Sequence, residues 1–345
     1  MSFWAGKRVL LTGHTGFQGS WLALWLSTLG ADVYGVALAP DTDPSLFDQL
    51  GLAVRINNCI GDICDRNLVD SAIGEVDPDV VFHLAAHPMA RGSQDDTLGI
   101  WNTNVMGSAH ILEALRKRKR RCAVVMVTAD KVYQNRQWPH PYRESDPLGG
   151  HDPYSASKAA TEMLIASYRA SFFKDHPVRI ASARAGNVIG GGEWASDRLV
   201  PDMMRALAAK TPIKLRDPNA IHPWQHVLEP LSGYLKLARK LFEGKVGESY
   251  NFGPETGDAK PVKALVEMAL AHWPGAWEDH SKPGAPHKED MLSLGIESAR
   301  ADLGYAPRWD LQEAVKRTVI WYRDVAEGGD PLGVTLAQIQ GFEDT

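Results

Sequence analysis

Two pairs of side chains in this sequence could carry acid–base chemistry. Tyr154 and Lys158 are spaced i and i+4, so they occupy one face of a helix. A phenol with a pKa of about 10 is a poor base at neutral pH, but a neighbouring ammonium stabilises the phenolate and lowers that pKa. Asp130 and Lys131 follow the apolar run Ala123–Val127, where ligands of open α/β sheets bind. We therefore expect all four residues to belong to a functional site.

A glycine-rich segment near the amino terminus indicates a phosphate-binding loop. Gly13, Gly16 and Gly19 lie between the apolar run Arg8–Thr12 and the helically spaced apolar residues of Trp21–Leu26. Glycines here allow a tight turn, close approach of the backbone to a pyrophosphate, and close packing of helix on strand. The helix N-terminus adds free N–H groups and a partial positive charge. This strand–loop–helix context predicts a dinucleotide site.

Charge near this loop favours NAD over NADP. The position about 20 residues past the motif, which usually carries an acidic residue for the ribose, is Ala39, followed by Pro40 and Asp41. No Lys or Arg occurs between Arg8 and Arg55, so a 2′-phosphate would find no local counter-charge. We predict NAD as the cofactor.

The elements that must position these residues form an alternating pattern. The predicted strands include Arg8–Thr12, Asp32–Leu38, Val80–Leu84, Ala123–Val127 and Val178–Ala183, with helical segments between them. Such alternation predicts an α/β fold with a doubly wound parallel sheet of the Rossmann type, and a smaller mixed C-terminal substrate lobe follows. We assign residues 1–190 to the NAD-binding domain, to which segments of about 225–255 return through a strand at Ser249–Phe252. Residues 191–330 form the discontinuous substrate lobe and 331–345 a loosely attached tail.

Composition excludes several classes of protein. The 345 residues carry a formal net charge of -5, so the broad positive field that nucleic-acid binding needs is absent. No apolar run approaches the ~20 residues of a bilayer span, and the first residues lack the pattern of a signal peptide. Three cysteines (Cys59, Cys64, Cys122) fit neither a disulfide framework nor a zinc site, and no histidine pair has ligand spacing. We expect a cytoplasmic protein without metal, nucleic-acid or membrane partners.

Longer motifs resemble the CDP-glucose 4,6-dehydratase family, a branch of the extended short-chain dehydrogenases/reductases that modify nucleotide sugars. The similarity runs from Phe3 to about Trp321 and is most specific in segments 13–21, 104–107, 142–150, 182–192 and 223–234. The Asp130-Lys131 pair separates the CDP-glucose branch from its dTDP-glucose relatives, which carry Asp-Glu.

The resemblance implies oxidation, dehydration and reduction of one sugar. Tyr154 would take the proton of the 4-hydroxyl while C4 gives a hydride to NAD, and Lys158 would support the phenolate and the nicotinamide ribose. Asp130, protonated in a dry site, would protonate the leaving 6-hydroxyl. Lys131, with a pKa lowered by burial, would remove the C5 proton. The hydride would return to C6, so that bound NAD is regenerated.

The resemblance also implies which residues contact the ligands. For the cofactor they are Gly13, Thr15, Gly16, Phe17, Gly19, Asp62, Ile63, Leu84, Ala85, Ala86, Asn104, Tyr154 and Lys158. For the nucleotide-diphosphate sugar they are Thr128, His87, Asn187, Arg198, Trp194, His222 and Trp224, with Arg184 on the substrate side. Asp62 could instead cap a helix that begins near Asp65. A homodimer, built from the helices that contain residues 105–115 and 154–173, is implied as well.

Three departures from the family pattern leave the reaction open. Ala129 stands where the family has a Ser or Thr on the 4-oxygen, and losing such a hydrogen bond costs on the order of 10²–10³ in rate. Thr128 is no simple substitute, because adjacent strand residues face opposite ways. His87 replaces a glutamine, and His222 replaces an arginine expected on the diphosphate.

Three hypotheses therefore remain. The first is a 4,6-dehydratase acting on CDP-glucose or a related nucleotide sugar, and Asp130-Lys131 favours it because C4 epimerisation needs no acid–base pair at C5 and C6. The second is an NAD-dependent epimerase or an enzyme acting on a different nucleotide sugar, which the three departures favour. The third is a nucleotide-sugar-binding protein with little turnover.

Overall fold

The computed structural model describes residues 3–87, 96–244, 246–255, 257–281 and 292–345. Its strands are β1 (Arg8–Thr12), β2 (Asp32–Ala37), β3 (Asn57–Ile60), β4 (Val80–His83), β5 (Cys122–Val127), β6 (Val178–Ala185), β7 (Asn187–Ile189), β8 (Ile213–Leu215), β9 (Ile221–His226), β10 (Ser249–Phe252), β11 (Ala259–Pro261) and β12 (Trp277–Asp279). Its α-helices are α1 (Phe17–Thr28), α2 (Leu46–Gln49), α3 (Arg66–Val76), α4 (Thr97–Trp101), α5 (Ser108–Arg116), α6 (Pro153–Tyr168), α7 (Leu199–Ala208), α8 (Leu228–Glu243), α9 (Val262–Leu270), α10 (Glu297–Leu303), α11 (Leu311–Ala326) and α12 (Pro331–Glu343). Within these ranges, no helix is both long and apolar enough to cross a membrane.

One parallel sheet organises the molecule. Its strand order is β10-β6-β5-β4-β1-β2-β3, and each neighbouring pair runs parallel. All carboxyl ends therefore lie at one edge, and the strand order reverses between β1 and β4. Open α/β sheets bind ligands in the crevice at such a point. The predicted doubly wound α/β fold is confirmed.

Both faces of this sheet are covered, because alternate residues of the central strands enter different apolar layers. Leu11 and Val125 pack in the layer that contains Trp21 of α1 and residues of α8 and α11. Leu10 and Val124 pack in the layer formed with α3, α5 and α6. Burial on both faces accounts for the continuous apolar runs seen in the sequence. Trp21 is fully buried, as its helical spacing with Trp25 suggests.

A smaller lobe stands at the carboxyl edge. It contains the three-stranded sheet β11-β9-β7 and the two-stranded sheet β12-β8. β7 begins two residues after β6 ends, so the chain passes directly from the main sheet into the lobe. β10 then pairs with β6, and the predicted return of Ser249–Phe252 to the sheet is confirmed. The assignment of residues 191–330 to one substrate lobe stays a prediction.

Two elements differ from the sequence prediction. No strand was expected at β3, because Asn57–Ile60 has no apolar run; it is the exposed edge strand of the sheet. The prediction of a loosely attached tail over 331–345 is wrong, because α12 packs against the domain. Phe342 is fully buried, with its ring edge-on to Trp25 and Trp309, and the Trp25 indole N–H donates to Glu343 at 2.9 Å.

Candidate active site

A cavity of about 1100 Å³ opens at the carboxyl edge of the main sheet. It brings together most of the predicted site residues: Gly13, Gly16, Phe17, Gly19, Leu84, Ala86, Thr128, Asp130, Lys131, Tyr154, Lys158, Asn187, Arg198, His222 and Trp224. The predicted residues that do not line it are Thr15, Asp62, Ile63, Ala85, His87, Asn104 and Trp194. The cavity thus joins the glycine loop, the two acid–base pairs and part of the smaller lobe.

The glycine loop can hold a pyrophosphate. Gly13 has φ +78°, and a Cβ there would lie 2.7 Å from the backbone nitrogen of Ala85; a Cβ at Gly19 would lie 2.0 Å from the Gly13 carbonyl oxygen. Helix α1 starts without a side-chain cap and without an acidic residue in its first turn, so its N–H groups are available to an anion. The Gln18 Oε1 atom is buried at the cavity without a hydrogen-bond partner. The sequence analysis missed Gln18, because the glycine pattern does not specify this position.

A buried chain of hydrogen bonds supports this loop from behind. The Thr12 hydroxyl lies 2.7 Å from Nδ1 of His83, and Nε2 of His83 lies 3.0 Å from the Ser108 hydroxyl. Ser108 donates to the carbonyl oxygen of Asn104, which lies in a π-helical turn over Asn102–Gly107. Burial, with the charge of Lys158, lowers the pKa of His83 to about 3, so this ring is neutral.

Asn104 is fixed by protein groups on both ends of its side chain. Its Oδ1 accepts the His87 N–H at 2.8 Å, and its Nδ2 donates to the Ser157 hydroxyl at 2.9 Å. The residue therefore ties the segment after β4 to the helix of Tyr154. Contact of Asn104 and His87 with ligands stays a prediction.

Helix α6 places Tyr154 and Lys158 in the cavity. Asp152 caps the helix by accepting the Ser155 N–H at 3.0 Å, and Pro153 occupies its first turn. The expected lowering of the Tyr154 pKa by Lys158 is wrong in this structure. Burial raises the pKa of Tyr154 to about 12, while the charge of Arg198 opposes that rise.

Lys158 does not offset this rise, because its ammonium faces the carbonyl oxygen of Val127 at 3.4 Å. Burial lowers the pKa of Lys158 to about 8, and the charge of Glu162 opposes that fall. The spacing of the two residues was therefore predicted correctly from the sequence, but the dry environment of their helix face was not.

Asp130 and Lys131 follow β5 as predicted, in a 3₁₀ turn over Asp130–Val132. Asp130 is 8% exposed, and a Cβ on Gly186 would lie 3.3 Å from its Oδ2 atom, so Gly186 leaves room for the carboxyl group. Lys131 is only half-buried, so the burial expected for a lysine base is incomplete.

Two residues assigned to the substrate lie instead in a buried network. The Thr128 hydroxyl donates to Glu162 at 2.6 Å, so this group does not point at the substrate, although other atoms of Thr128 line the cavity. The Arg184 side chain is 4% exposed and forms an ion pair with Glu162 at 2.8 Å. Arg184 lies outside the cavity, and its assignment to the substrate side is wrong because β6 directs it into the interior.

The smaller lobe contributes an aromatic and basic wall. His222 and Trp224 of β9 both line the cavity, with ring centroids 5.3 Å apart. Trp194 does not line it, because its indole donates to Gln49 at 2.9 Å and packs against Tyr322. Cationic side chains that the sequence analysis missed also line this wall: Arg205, Lys214 and Arg216. Their signal was the basic character of the segment that surrounds Pro212–Leu215.

At the far end of the loop, Asp62 accepts the N–H of Cys64 at 2.8 Å. It does not cap α3, since Asp65 does so by accepting the N–H groups of Asn67 and Leu68. The Thr15 hydroxyl donates to the carbonyl oxygen of Leu38 at the end of β2. Across the described residues, His, Cys, Asp and Glu form no cluster of three that could hold a metal ion.

The doubly wound sheet, the uncapped glycine-loop helix and the Tyr154–Lys158 helix define a dinucleotide-dependent enzyme site of the short-chain dehydrogenase/reductase type. The chain belongs to the NAD dependent epimerase/dehydratase family, whose sequence model matches residues 9–253. It is 44% identical to the CDP-glucose 4,6-dehydratase of Salmonella typhimurium, over 99% of this chain and 97% of that protein. The family resemblance predicted from the sequence is confirmed.

Solved structures share the fold at lower identity. The dTDP-glucose 4,6-dehydratase from Bacillus anthracis, in complex with NAD, has a TM-score of 0.77 and 23% identity, and the match covers 94% of this chain and 99% of that one. The UDP-glucose-4-epimerase from Stenotrophomonas maltophila, with bound NAD, has a TM-score of 0.81 and 22% identity, and covers 94% and 100% of the two chains. The fold therefore hosts both dehydratases and epimerases, and residues of the site must distinguish them.

Proposed function

We propose that this protein is an NAD-dependent nucleotide-sugar 4,6-dehydratase that converts CDP-glucose to CDP-4-keto-6-deoxyglucose. One observation carries the proposal: Asp130 and Lys131 line the same cavity as Tyr154 and Lys158. An acid and a base beside the Tyr–Lys pair can catalyse the elimination of water. A simple oxidation at C4 would not need this second pair. The similarity to a CDP-glucose 4,6-dehydratase supports the choice of nucleotide.

The first step needs a base for the 4-hydroxyl, and Tyr154 supplies it. With a pKa of about 12, the phenol is protonated in the resting site, so a positive charge must approach it. The Lys158 ammonium is one helical turn away, and its 3.4 Å hydrogen bond to the carbonyl oxygen of Val127 is a long one. NAD held by the glycine loop of Gly13, Gly16 and Gly19 would supply the hydride acceptor for C4 and the hydride donor for C6.

The elimination uses Asp130 and Lys131. The new 4-ketone acidifies the C5 hydrogen, Lys131 takes that proton, and Asp130 protonates the 6-hydroxyl, which leaves as water. The low exposure of Asp130 suits an acid that must stay protonated near neutral pH. The return of hydride to C6 and of a proton to C5 completes the C6 methyl group, with no external reductant.

The diphosphate is matched by the basic wall of the smaller lobe. Arg198 and Lys214 line the cavity there, beside His222, whereas Arg205 and Arg216 in the same lining are paired with Asp202 and Asp197. These cations compensate for the histidine that stands where the family has an arginine, because guanidinium and ammonium groups bind phosphate oxygens strongly. Trp224, 6% exposed, gives the sugar an apolar surface.

The test is incubation of the purified protein, without added cofactor, with CDP-glucose and then with UDP-, GDP- and dTDP-glucose. We expect CDP-glucose to lose one water and to gain a C6 methyl signal in the proton NMR spectrum. Asp130→Asn should lower that turnover by about 10²–10⁴-fold, the usual contribution of general acid catalysis. Asp175→Asn, an exposed position after α6, is the matched control. If no nucleotide sugar changes in mass, the dehydratase proposal is refuted.

An epimerase, or an enzyme acting on a different nucleotide sugar, is the second candidate. Ala129 favours it: this residue lines the cavity without a hydroxyl, and the neighbouring Thr128 hydroxyl is bonded to Glu162. Unchanged mass with altered ring couplings would identify epimerisation. Binding without any conversion would identify the third candidate, a nucleotide-sugar-binding protein with little turnover.

The proposal extends to the assembly and its location. Apolar side chains exposed on α4, α6 and their adjoining π-helical turns support a homodimer: Leu98, Trp101, Met106, Met163 and Phe172. A pair of helices per protomer can bury such side chains against the same pair of a second copy. All three cysteines are free thiols, which supports the cytoplasm as the compartment.

A further inference from the structure

A buried carboxylate stands behind the site and has no part in the mechanism above. Glu162 lies on α6, one helical turn after Lys158 and two turns after Tyr154, and its side chain is 4% exposed. It accepts hydrogen bonds from Thr128 at 2.6 Å and from Ser182 at 2.8 Å, and Arg184 donates to both of its oxygens at 3.0 and 2.8 Å. Although burial opposes ionisation, these partners lower the pKa of Glu162 below its ordinary value.

Arg184 is satisfied within the same network. It also donates to the Tyr133 hydroxyl at 2.8 Å and to the carbonyl oxygen of Glu144 at 3.1 Å. A buried ion pair adds little stability over an apolar pair of similar volume. The pair nevertheless sits between β6 and the catalytic helix, where it joins the segment after β5 to α6 through Thr128.

We infer that Glu162 is a positioning residue of the active site: through Thr128 it fixes the segment of Ala129, Asp130 and Lys131 against the helix of Tyr154 and Lys158, and it places a carboxylate one helical turn from Lys158. The roles of those residues rest on the proposed function. Glu162 itself lies outside the cavity and acts through its neighbours.

Among the charged groups near Lys158, Glu162 is the one that raises the Lys158 pKa. Burial lowers the pKa of Lys158 to about 8, and Glu162 is the charge that opposes this fall. His83 of β4 is neutral, since burial and Lys158 lower its pKa to about 3. Asp130, Lys131 and Tyr154 face the same cavity, and Arg184 approaches only through Glu162.

The first test measures the titration of Lys158 without any sugar. The protein is saturated with NAD and carries carbon-13 at lysine Cε, and the Lys158 NMR signal is assigned with a Lys158→Met variant. A double variant, Glu162→Gln with Arg184→Gln, removes both buried charges and leaves neither unpaired. Its Lys158 should titrate below the wild type, because Glu162 is the charge that opposes the fall of the Lys158 pKa.

Ser182→Ala is the matched control, because it removes one hydrogen bond to Glu162 but no charge. Its Lys158 titration should equal that of the wild type. Equal titration of Lys158 in the double variant would overturn the assigned charge effect. Because no substrate is present, this result decides the charge effect of Glu162 even if the wild type fails to dehydrate CDP-glucose.

The second test separates positioning from stability. Thr128→Val keeps the volume of the side chain but loses the hydroxyl, and Thr128→Ser keeps the hydroxyl. With the sugar that the wild type converts, or with C4 oxidation as the readout, we expect Thr128→Val to lower kcat about 10–100-fold with little change in KM, as small misplacements do. Thr128→Ser should restore it. A kcat for Thr128→Val equal to that of the wild type would overturn the positioning role.

Discussion

Burial dominates the chemistry of single residues in this site. It raises the pKa of Tyr154 to about 12 and lowers that of Lys158 to about 8, so each group is shifted toward its neutral form. Sequence spacing predicted that the two side chains share a helix face, which a helix guarantees. It could not predict the sign of the Tyr154 shift, because that depends on how much of the face is dry and on where the ammonium points.

Tyr154→Phe tests the role of the phenol with a minimal change in shape. We expect turnover to fall at least 10²–10⁴-fold, the usual contribution of a general base, with the free energy of unfolding little changed. Product formation is measured by mass spectrometry, and unfolding by urea titration.

Tyr168→Phe is the matched control for that prediction. Tyr168 is on the same helix, but its hydroxyl donates to Glu113 at 2.8 Å, away from the cavity. The Tyr168→Phe variant should retain wild-type turnover. Equal activity in Tyr154→Phe and Tyr168→Phe would remove Tyr154 from the mechanism.

Several residues assigned to the substrate direct their polar atoms away from the cavity, for a shared reason. Arg184, Thr128 and Trp194 have side chains that could bind a nucleotide sugar, and each lies close in sequence to true cavity residues. The structure directs the Arg184 side chain and the Thr128 hydroxyl at Glu162, and Trp194 at Gln49. A motif gives the position of a residue along the chain, whereas its partners, which come from distant segments, decide where its polar atoms point.

At the scale of elements, the glycine loop makes unequal demands on its glycines. A Cβ at Gly19 would lie 2.0 Å from the Gly13 carbonyl oxygen, which is backbone and cannot yield cheaply. A Cβ at Gly16 would meet nothing closer than 3.5 Å. Gly19 is thus required because α1 packs closely on the loop. Gly16 is required because the phosphates of the cofactor are expected to lie beside it.

Gly19→Ala and Gly16→Ala should therefore fail in different ways. We expect Gly19→Ala to lower the free energy of unfolding by about 1–3 kcal/mol, the usual cost of overpacking, even without NAD. Gly16→Ala should unfold like the wild type without NAD but bind NAD at least about tenfold more weakly, because its methyl group enters the phosphate space. Calorimetry with and without NAD measures both quantities. Wild-type NAD affinity in Gly16→Ala would contradict the placement of the phosphates.

Helix α12 shows where element prediction from the sequence stopped. Its buried residues include the polar Thr335 and Gln338 beside Ile339 and Phe342, so the buried face does not follow the apolar pattern. Trp25 and Trp309, which cover Phe342, come from distant parts of the chain. The edge strand β3 escaped detection for the opposite reason, since all four of its residues are exposed. The central strands, buried on both faces, were the easiest to predict.

Phe342→Ala measures how firmly α12 is attached. Because the ring is fully buried between Trp25 and Trp309, its loss should cost about 3–5 kcal/mol of unfolding free energy. Gln340→Ala, an exposed position on the same helix, should change that free energy by less than about 0.5 kcal/mol. Indistinguishable urea midpoints for the two variants would mean that the segment is a tail after all.

At the scale of the whole molecule, five of the nine large apolar side chains that are exposed among the described residues lie on α4, α6 and the adjoining turns. Met163 is 57% exposed and Trp101 38%, although both lie in helices whose other faces are buried. Monomeric proteins seldom expose several large apolar groups together, so the face is suited to a second copy of the chain.

Met163→Lys should weaken the proposed homodimer. A lysine brought into an apolar interface would be desolvated without a partner, so the dissociation constant should rise at least about 100-fold. Sedimentation velocity across a concentration series gives that constant. Val54→Lys, at a position 90% exposed elsewhere on the surface, is the control and should sediment as the wild type does. A wild-type protein that sediments as a monomer would end the dimer proposal.

The hydrogen bond between Trp25 and Glu343 spans 318 positions of the chain. A ribosome adding about 5–20 residues per second releases Trp25 roughly 15–60 s before Glu343 is made. During that interval the outer face of α1 has no cover, and Trp25 and its apolar neighbours are open to chaperones or to other nascent chains. The order of translation thus leaves this face of the amino-terminal helix open to misassembly until α12 has been made, although Trp25 is buried once folding is complete.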